Sequence, residues 1–398
     1  MHPNVPHLRF PEFQGEWEKH GLSEYLDFKN GLNPDSKRFG KGIKFISVMD
    51  ILNNPVITYD CIRASVQATD AEISSFSVEN GDILFQRSSE TLEDVGRANV
   101  YIDDRVAVFG GFVIRGKKKA NYNPLFFRYL LSSPYARKRI IPMGAGAQHF
   151  NIGQEGLSKV LLNFPSIEEQ TKIASLLHLL DERIATQSKL IEDLKKLKSA
   201  IIDYAINSLD TDFAKFGSLY EMAGEGGTPT TSNASFYVNG KIPFVKIDDL
   251  KKKYLTENKD FITELGLQKS SAWLVPTRSI LFSNGATIGE ITITTYPVCT
   301  KQGILGIVPK PNIDVEFLYY FMSSSYFKKA VSRIVTEGTM KTVYLKDINN
   351  IRCPIPTKEK QLDIAKMPSA LNSKIDFEQS ILKLFGSQKQ YLLRQMFM

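Results

Sequence analysis

A shift of 191 residues lays this chain on itself. The stretch from Pro165 (PSIEEQTKIASLLHLLDERIATQSKLIEDLKKLKSAIIDYAI) aligns without a gap on the stretch from Pro356 (PTKEKQLDIAKMPSALNSKIDFEQSILKLFGSQKQYLLRQMF), and each copy reads as a long helix. Upstream, at the same offset, Phe127, Tyr129, Leu131, Ser132, Ser133 and Tyr135 fall on Leu318, Tyr320, Met322, Ser323, Ser324 and Tyr326. After small gaps, Ile83-Leu84-Phe85 meets Ile280-Leu281-Phe282, Val95-Gly96 meets Ile288-Gly289, and IKFISVMDI from Ile43 meets IPFVKIDDL from Ile242. A domain-sized unit present twice is a duplication and not a solenoid. The order is globule, long helix, globule, long helix, and the globules differ more than the helices do.

The 398 residues exceed the length at which a single core stops growing, about 250 to 300. The expected division is a first globule over 1–163, a helix over 164–209, a second globule over 210–355 and a helix over 356–398. A net charge of +7 is by itself a weak hint of a polyanionic partner, and the plainer reading is a soluble basic protein. Cys61, Cys299 and Cys353 are far apart with no CxxC spacing, which points to neither a disulfide framework nor a zinc site and suits a reducing cytosol. No window approaches the ~18 apolar residues of a membrane span, so the expectation is a cytoplasmic protein.

Each globule opens with short strand-like runs: IKFISV, GDILFQR, RANVYI and AVFGGFVIRG in the first, IPFVKI, SILFS, EITITTY and GILGIVP in the second. One helix follows in each, NPLFFRYLLSSPYARKRI from Asn123 and DVEFLYYFMSSSYFKKAVSRIV from Asp314. Strand clusters followed by helices define an α+β class. Ser166 with Glu169 forms a capping box for the first long helix; in the second, Thr357 is followed by Lys360, a weaker start. Pro368 and Gly386 fall inside the second helix, so its expected start is near Pro368.

A 4,3 repeat runs through Ile173, Leu177, Leu180, Ile184, Gln187, Ile191, Leu194, Lys198, Ile201 and Ala205, and again through Ile364, Pro368, Leu371, Ile375, Glu378, Leu382, Phe385, Lys389, Leu392 and Met396. Such a seam wants a coiled-coil partner, and the other copy is the obvious one. Parallel pairing would set Lys198 beside Lys389. Antiparallel pairing sets Lys198 against Glu378 and Gln187 against Lys389, and the two globules are then related by a pseudo-twofold axis.

No G-x-x-x-x-G-K-[ST] loop is present, and GEGGTP at Gly224 and GAGA at Gly144 read as loops. Pro34-Asp35 and Asp249-Leu250-Lys251 lie in different globules and do not make a nuclease site. None of His2, His7, His20, His149 and His178 stands at metal-ligand spacing to another, and no serine or cysteine sits in a nucleophile elbow. The candidates for DNA contact are polar residues in corresponding loops. In the first globule these are Lys37, Arg38, Lys41, Lys44, Arg87, Gln148 and His149; in the second, Thr228, Thr230, Lys246, Asn284, Lys301, Gln302 and Lys341, with Lys341 matched to His149. Arginine and lysine suit phosphates and guanine edges; Thr, Asn and Gln suit adenine edges and phosphates. A solvated surface loop is the competing reading for each.

This arrangement resembles the specificity subunit of a type I DNA restriction-modification system. The resemblance covers nearly the whole chain and rests on HLRFPEFQGEWEK, GEGGTP with GKIPFVKIDDL, SNGATIGEITI, and FPSIEEQTKIASLLHLLDERI with its repeat IPTKEKQLDIA. It implies two target recognition domains, each reading half of an interrupted site in double-stranded DNA, with paired helices that separate them and dock two methyltransferase subunits. It also implies no catalysis in this chain. S-adenosylmethionine belongs to the methyltransferase partner, ATP and magnesium to the restriction partner, and no cofactor or metal to this chain. Pro368, Gly386 and Glu93-Asp94 depart from the duplicated pattern. A stand-alone nuclease or methyltransferase, and a coiled-coil adaptor without DNA readout, are the other classes.

Overall fold

The computed structural model describes residues 4–285, 287–335 and 341–398. It divides into two compact units, Met1–Ser188 with Ser380–Met398, and Lys189–Gln379. Each long helix therefore gives one half to each unit.

In the first unit a four-stranded antiparallel sheet has the order Leu26–Asn30, Val113–Lys118, Ile83–Gln86, Ala98–Val100. A second sheet orders Ser65–Val66, Phe39–Ile46, Ala107–Phe109, Ser77–Val78. Ile83–Gln86 is buried throughout, which is why it reads as a continuous apolar run and not as an alternating one. The helix Pro124–Ser132 places Phe126, Phe127 and Leu130 in one core with Trp17, Leu26, Phe85 and, from the long helices, Leu177 and Leu393.

The second unit repeats this plan. Tyr220–Glu225, Ile304–Pro309, Ile280–Ser283, Ile291–Thr294 and Tyr254–Leu255 form one sheet; Asp260–Ile262, Ile242–Val245 and Cys299–Thr300 form the other. Phe317, Leu318 and Phe321 of the helix Val315–Ser323 share a core with Ile202, Ile206 and Ile364 of the long helices.

The single helix expected after each set of strands is two. Pro124–Ser132 ends at Ser133 and a second helix, Pro134–Ile140, begins; Val315–Ser323 likewise gives way at Ser324 to Ser325–Ile334. Pro134 keeps Ser133 out of helical geometry. Ser324 adopts the same extended backbone without a proline, because its hydroxyl accepts from Phe327 N and donates to Phe321 O, satisfying both helix ends.

The long helices span Ile167–Asn207 and Lys358–Gln395. The expected start near Pro368 is corrected: the second helix begins ten residues earlier, at Lys358, and runs through Pro368 and Gly386. Proline removes one backbone N–H there, but Pro368 is buried on the seam and the next residue, Ser369, is tied into the globule by Lys253 and Tyr320. Every residue of both 4,3 seams is buried or half-buried.

Within each unit the helix halves run antiparallel. The start of the first helix (Ile173, Leu177, Leu180) packs with the end of the second (Leu392, Met396) in one unit, and the end of the first (Ile202, Ile206) with the start of the second (Ile364) in the other. The expected polar partners differ. Lys389 is ion-paired with Asp181, six residues before Gln187, and Lys198 donates to Asn372 Oδ1 at 2.9 Å, six residues before Glu378.

Both helices are docked by the same device. Gln170 accepts from Asn123 N at 3.1 Å and donates to Pro165 O, while Gln361 accepts from Asp314 N at 2.7 Å and donates to Pro356 O; both glutamines are buried. The early segment of the first unit then straps its helices. Arg9 pairs with Glu169, Leu8 N donates to Gln395 O at 2.8 Å, and Trp17 packs edge-on against Phe126 and Phe397. Ser166 caps the first helix, but Glu169 gives its carboxylate to Arg9.

Candidate nucleic-acid interface

The site in each unit is a tight turn by which the chain passes from one sheet to the other. In the first unit Ala107–Phe109 and Val113–Lys118 are joined by Gly110-Gly111-Phe112. Gly110 N donates to Ile46 O, Gly111 N to Leu32 O, and Arg87 N to Phe112 O at 2.9 Å. In the second unit Lys301 N donates to Val245 O, Gln302 N to Thr228 Oγ1, and Asn284 N to Gly303 O at 3.0 Å. Two of the three hydrogen bonds match atom for atom and the third runs from the matching N–H to a side-chain hydroxyl instead of a carbonyl, so Lys301-Gln302-Gly303 stands where the first unit has Gly110-Gly111-Phe112.

A glycine makes room for each tip. A Cβ on Gly31 would lie 2.1 Å from Gly110 O, and one on Gly226 would lie 2.2 Å from Thr300 O. These distances are below any real contact, so the two sites need glycine for close approach.

In the second unit the structure brings the candidates together. Thr228 and Gln302 share a hydrogen bond, Lys246 follows the Val245 that holds Lys301, and Val343 N donates to Asn284 O beside Lys341. Lys301, Gln302, Lys341 and Thr230 are exposed, Thr228 is half-buried, and exposed Lys246 is ion-paired with Asp260 at 2.7 Å. Asn284 needs correction: it is 1% exposed and its amide donates to Val343 O, so it braces the tip from inside instead of offering a polar group at the surface.

In the first unit the candidates fall into two groups. Arg87, Gln148 and His149 surround the tip. Arg87 Nη1 donates to Gly111 O at 3.2 Å, and Ser88-Ser89 pair with Phe150-Asn151, which ends the exposed loop carrying Gln148 and His149. Ile152 N donates to Arg87 O as Val343 N does to Asn284 O, so Lys341 corresponds to Phe150; the residue matching His149 lies outside the described residues.

The second group sits on Phe39–Ile46 and the turn before it. Lys41 is exposed between Gly40 and Gly42, both at φ +99°, and a Cβ on Gly42 would lie 2.3 Å from Val66 O. Lys37 is exposed. Arg38 is committed internally, forked onto Glu72 with Nε on Gln67 O, and together with the Thr69 backbone it holds the Glu72 carboxyl down to about 2. Lys44 Nζ donates to Ile62 O at 2.7 Å and lies over the Tyr59 ring. The rings of Phe39 and Phe45, 5.1 Å apart, link this group toward Gly110.

Sequence reasoning missed Phe112, the most exposed large apolar side chain near either tip at 68%. The two glycines before it, within strand-like runs, are the signal that could have found it. Among the described residues no group of three or more His, Cys, Asp or Glu is placed to hold a metal ion, and no helix is long and apolar enough to cross a membrane.

Duplicated α+β units built around two long helices, with matching turns of unlike chemistry, are the architecture of a two-domain protein whose halves share one scaffold. The type I restriction modification DNA specificity domain matches residues 14–196 and again 210–384, and the chain belongs to that family. It is 23% identical to a putative type I restriction enzyme MjaX specificity subunit of Methanocaldococcus jannaschii, covering 94% of this chain and 91% of that protein. It is 21% identical to the type I restriction enzyme HindI specificity subunit of Haemophilus influenzae, covering 81% and 86%. The fold is shared with the S subunit of a type I restriction-modification system from M. genitalium (TM-score 0.57, 16% identity, 99% of both chains). It is shared also with a chain from a structure of type I complex assembly and conformational transition (TM-score 0.62, 14% identity, 98% and 99%).

Proposed function

We propose that this chain is the non-catalytic DNA-reading subunit of a type I restriction-modification complex, each unit reading one half of a bipartite target and the long helices docking two methyltransferase subunits. The observation that carries the reading is the turn in each unit, Gly110-Gly111-Phe112 and Lys301-Gln302-Gly303, anchored at matching backbone groups and unlike in side chains. Identical scaffolds with different groups at the same places suit two different half-sites.

Docking on the helices is supported by a second apolar stripe facing away from the seam. Leu176, Leu190, Leu197 and Tyr204 are 36%, 41%, 49% and 77% exposed, and Phe377, Leu384 and Tyr391 are 59%, 67% and 53% exposed. Their spacings of seven and fourteen keep each set on one helix face, the pattern of a helix awaiting a partner.

The test is co-expression with the methyltransferase subunits, followed by mapping of methylated bases across a genome. A bipartite, non-palindromic motif supports the reading. One uninterrupted or palindromic motif overturns it, as does methyl transfer or DNA cleavage by the purified chain alone.

A further inference from the structure

Phe112 is exposed although every group around it is fixed. Its carbonyl accepts from Arg87 N at 2.9 Å, Gly111 N donates to Leu32 O at 2.9 Å, and Val113 N donates to Gly110 O at 2.8 Å. Gly110 lies against Phe45 and Gly111 against Asn33, where added Cβ atoms would come within 2.6 and 1.8 Å. The tip is thus a rigid mount, and the one side chain it projects is an aromatic ring at 68% exposure.

The corresponding position in the second unit is Gly303, at φ +91°, preceded by exposed Lys301 and Gln302. One tip offers an apolar ring, the other a cation and an amide. Arg87, whose N donates to Phe112 O and whose Nη1 donates to Gly111 O, sets a cation beside Phe112, so a polyanion is the partner whose charge fits. Among the features that base edges display in the major groove of DNA, the apolar one is the C5-methyl of thymine.

We propose that Phe112 packs against a thymine methyl in the major groove of the first half-site, making it the apolar specificity residue of that unit. This rests on the reading of the first unit as a half-site reader.

The test uses the complex of this chain with its methyltransferase subunits and duplexes carrying the mapped motif. Phe112→Ala is expected to weaken specific binding about 5- to 150-fold, the worth of one base contact, while binding to unrelated duplex is unchanged and Phe112→Leu retains most of the affinity. Replacing one first-half thymine with deoxyuridine should cost the wild-type complex a similar factor and cost the Phe112→Ala complex nothing further. Equal losses from deoxyuridine in both complexes, unchanged binding by Phe112→Ala with an intact melt, or a first half-site lacking thymine would overturn the assignment. Each of these leaves a bipartite motif standing, so failure here is distinct from failure of half-site reading.

Discussion

Lys198 and Asn372 face each other across the helix pair of the second unit at 2.9 Å, where the first unit sets Lys389 against Asp181. The positions are strict counterparts, since Asp181 and Asn372, like Lys198 and Lys389, are 191 apart. The duplication kept the contact and dropped one charge. Lys198 accordingly has its pKa lowered, burial being the main cause, with Asp376 opposing and Lys253, Lys195 and Lys328 adding repulsion.

Restoring the carboxylate should stabilise the second unit. Asn372→Asp is expected to raise its stability by roughly 0.2–1 kcal/mol, the range of a partly solvated pair. Thermal melts of the variant and the parent protein would check this, and an unchanged or lower midpoint would show that the site cannot use a carboxylate.

The same lysine sets a pH dependence. Its folded-state pKa lies below the ordinary 10.5, so between those two values the unfolded chain holds more protons than the folded one. Stability from this group therefore rises as pH climbs through the folded pKa toward 10.5, and the gain is absent below that window. Urea midpoints should show the rise in the parent protein and a flatter profile in Lys198→Met and Asn372→Asp.

Gly31→Ala and Gly226→Ala should act on separate halves of the target. Each places a Cβ about 2 Å from a carbonyl oxygen under one tip, a clash expected to exceed about 1 kcal/mol. Methylation mapping should show the first variant relaxed or silent at one half-site only and the second at the other. Mixed effects would overturn modular reading.

Seven residues inserted after Ser188 and again after Gln379 preserve both seams and lengthen each helix by about 10 Å. If the helices set the distance between half-sites, the unspecified spacer in the methylated motif grows by roughly three base pairs at ~3.4 Å each. An unchanged spacer would show that they do not.

The faces of the long helices were legible because a 4,3 repeat survives in both copies, and every residue it selects is buried or half-buried. Register was not. Sliding an antiparallel pair by a heptad still sets seam against seam, and the choice is made by globule contacts such as Tyr129 OH to Asp181 at 2.9 Å and Tyr320 OH to Ser369 at 3.1 Å. The tips were legible as loops from their Gly, Lys and Gln, but which groups stay free was not. Arg38 is claimed by Glu72, 34 residues on, and Asn284 by Val343, 59 residues on, distances over which no local pattern speaks. Phe112 escaped notice because an apolar residue between strands reads as core.

The strap that ties Leu8 to Gln395, with Phe397 against Trp17, gives the first unit an unusual dependence on the order of synthesis. Its core takes Leu392, Leu393, Met396 and Phe397 from the far end of the sequence, whereas the second unit lies wholly within Lys189–Gln379. On the ribosome the unit translated second can therefore close before the unit translated first. Loss of the segment Ser380–Met398 would strike the first unit and leave the second intact.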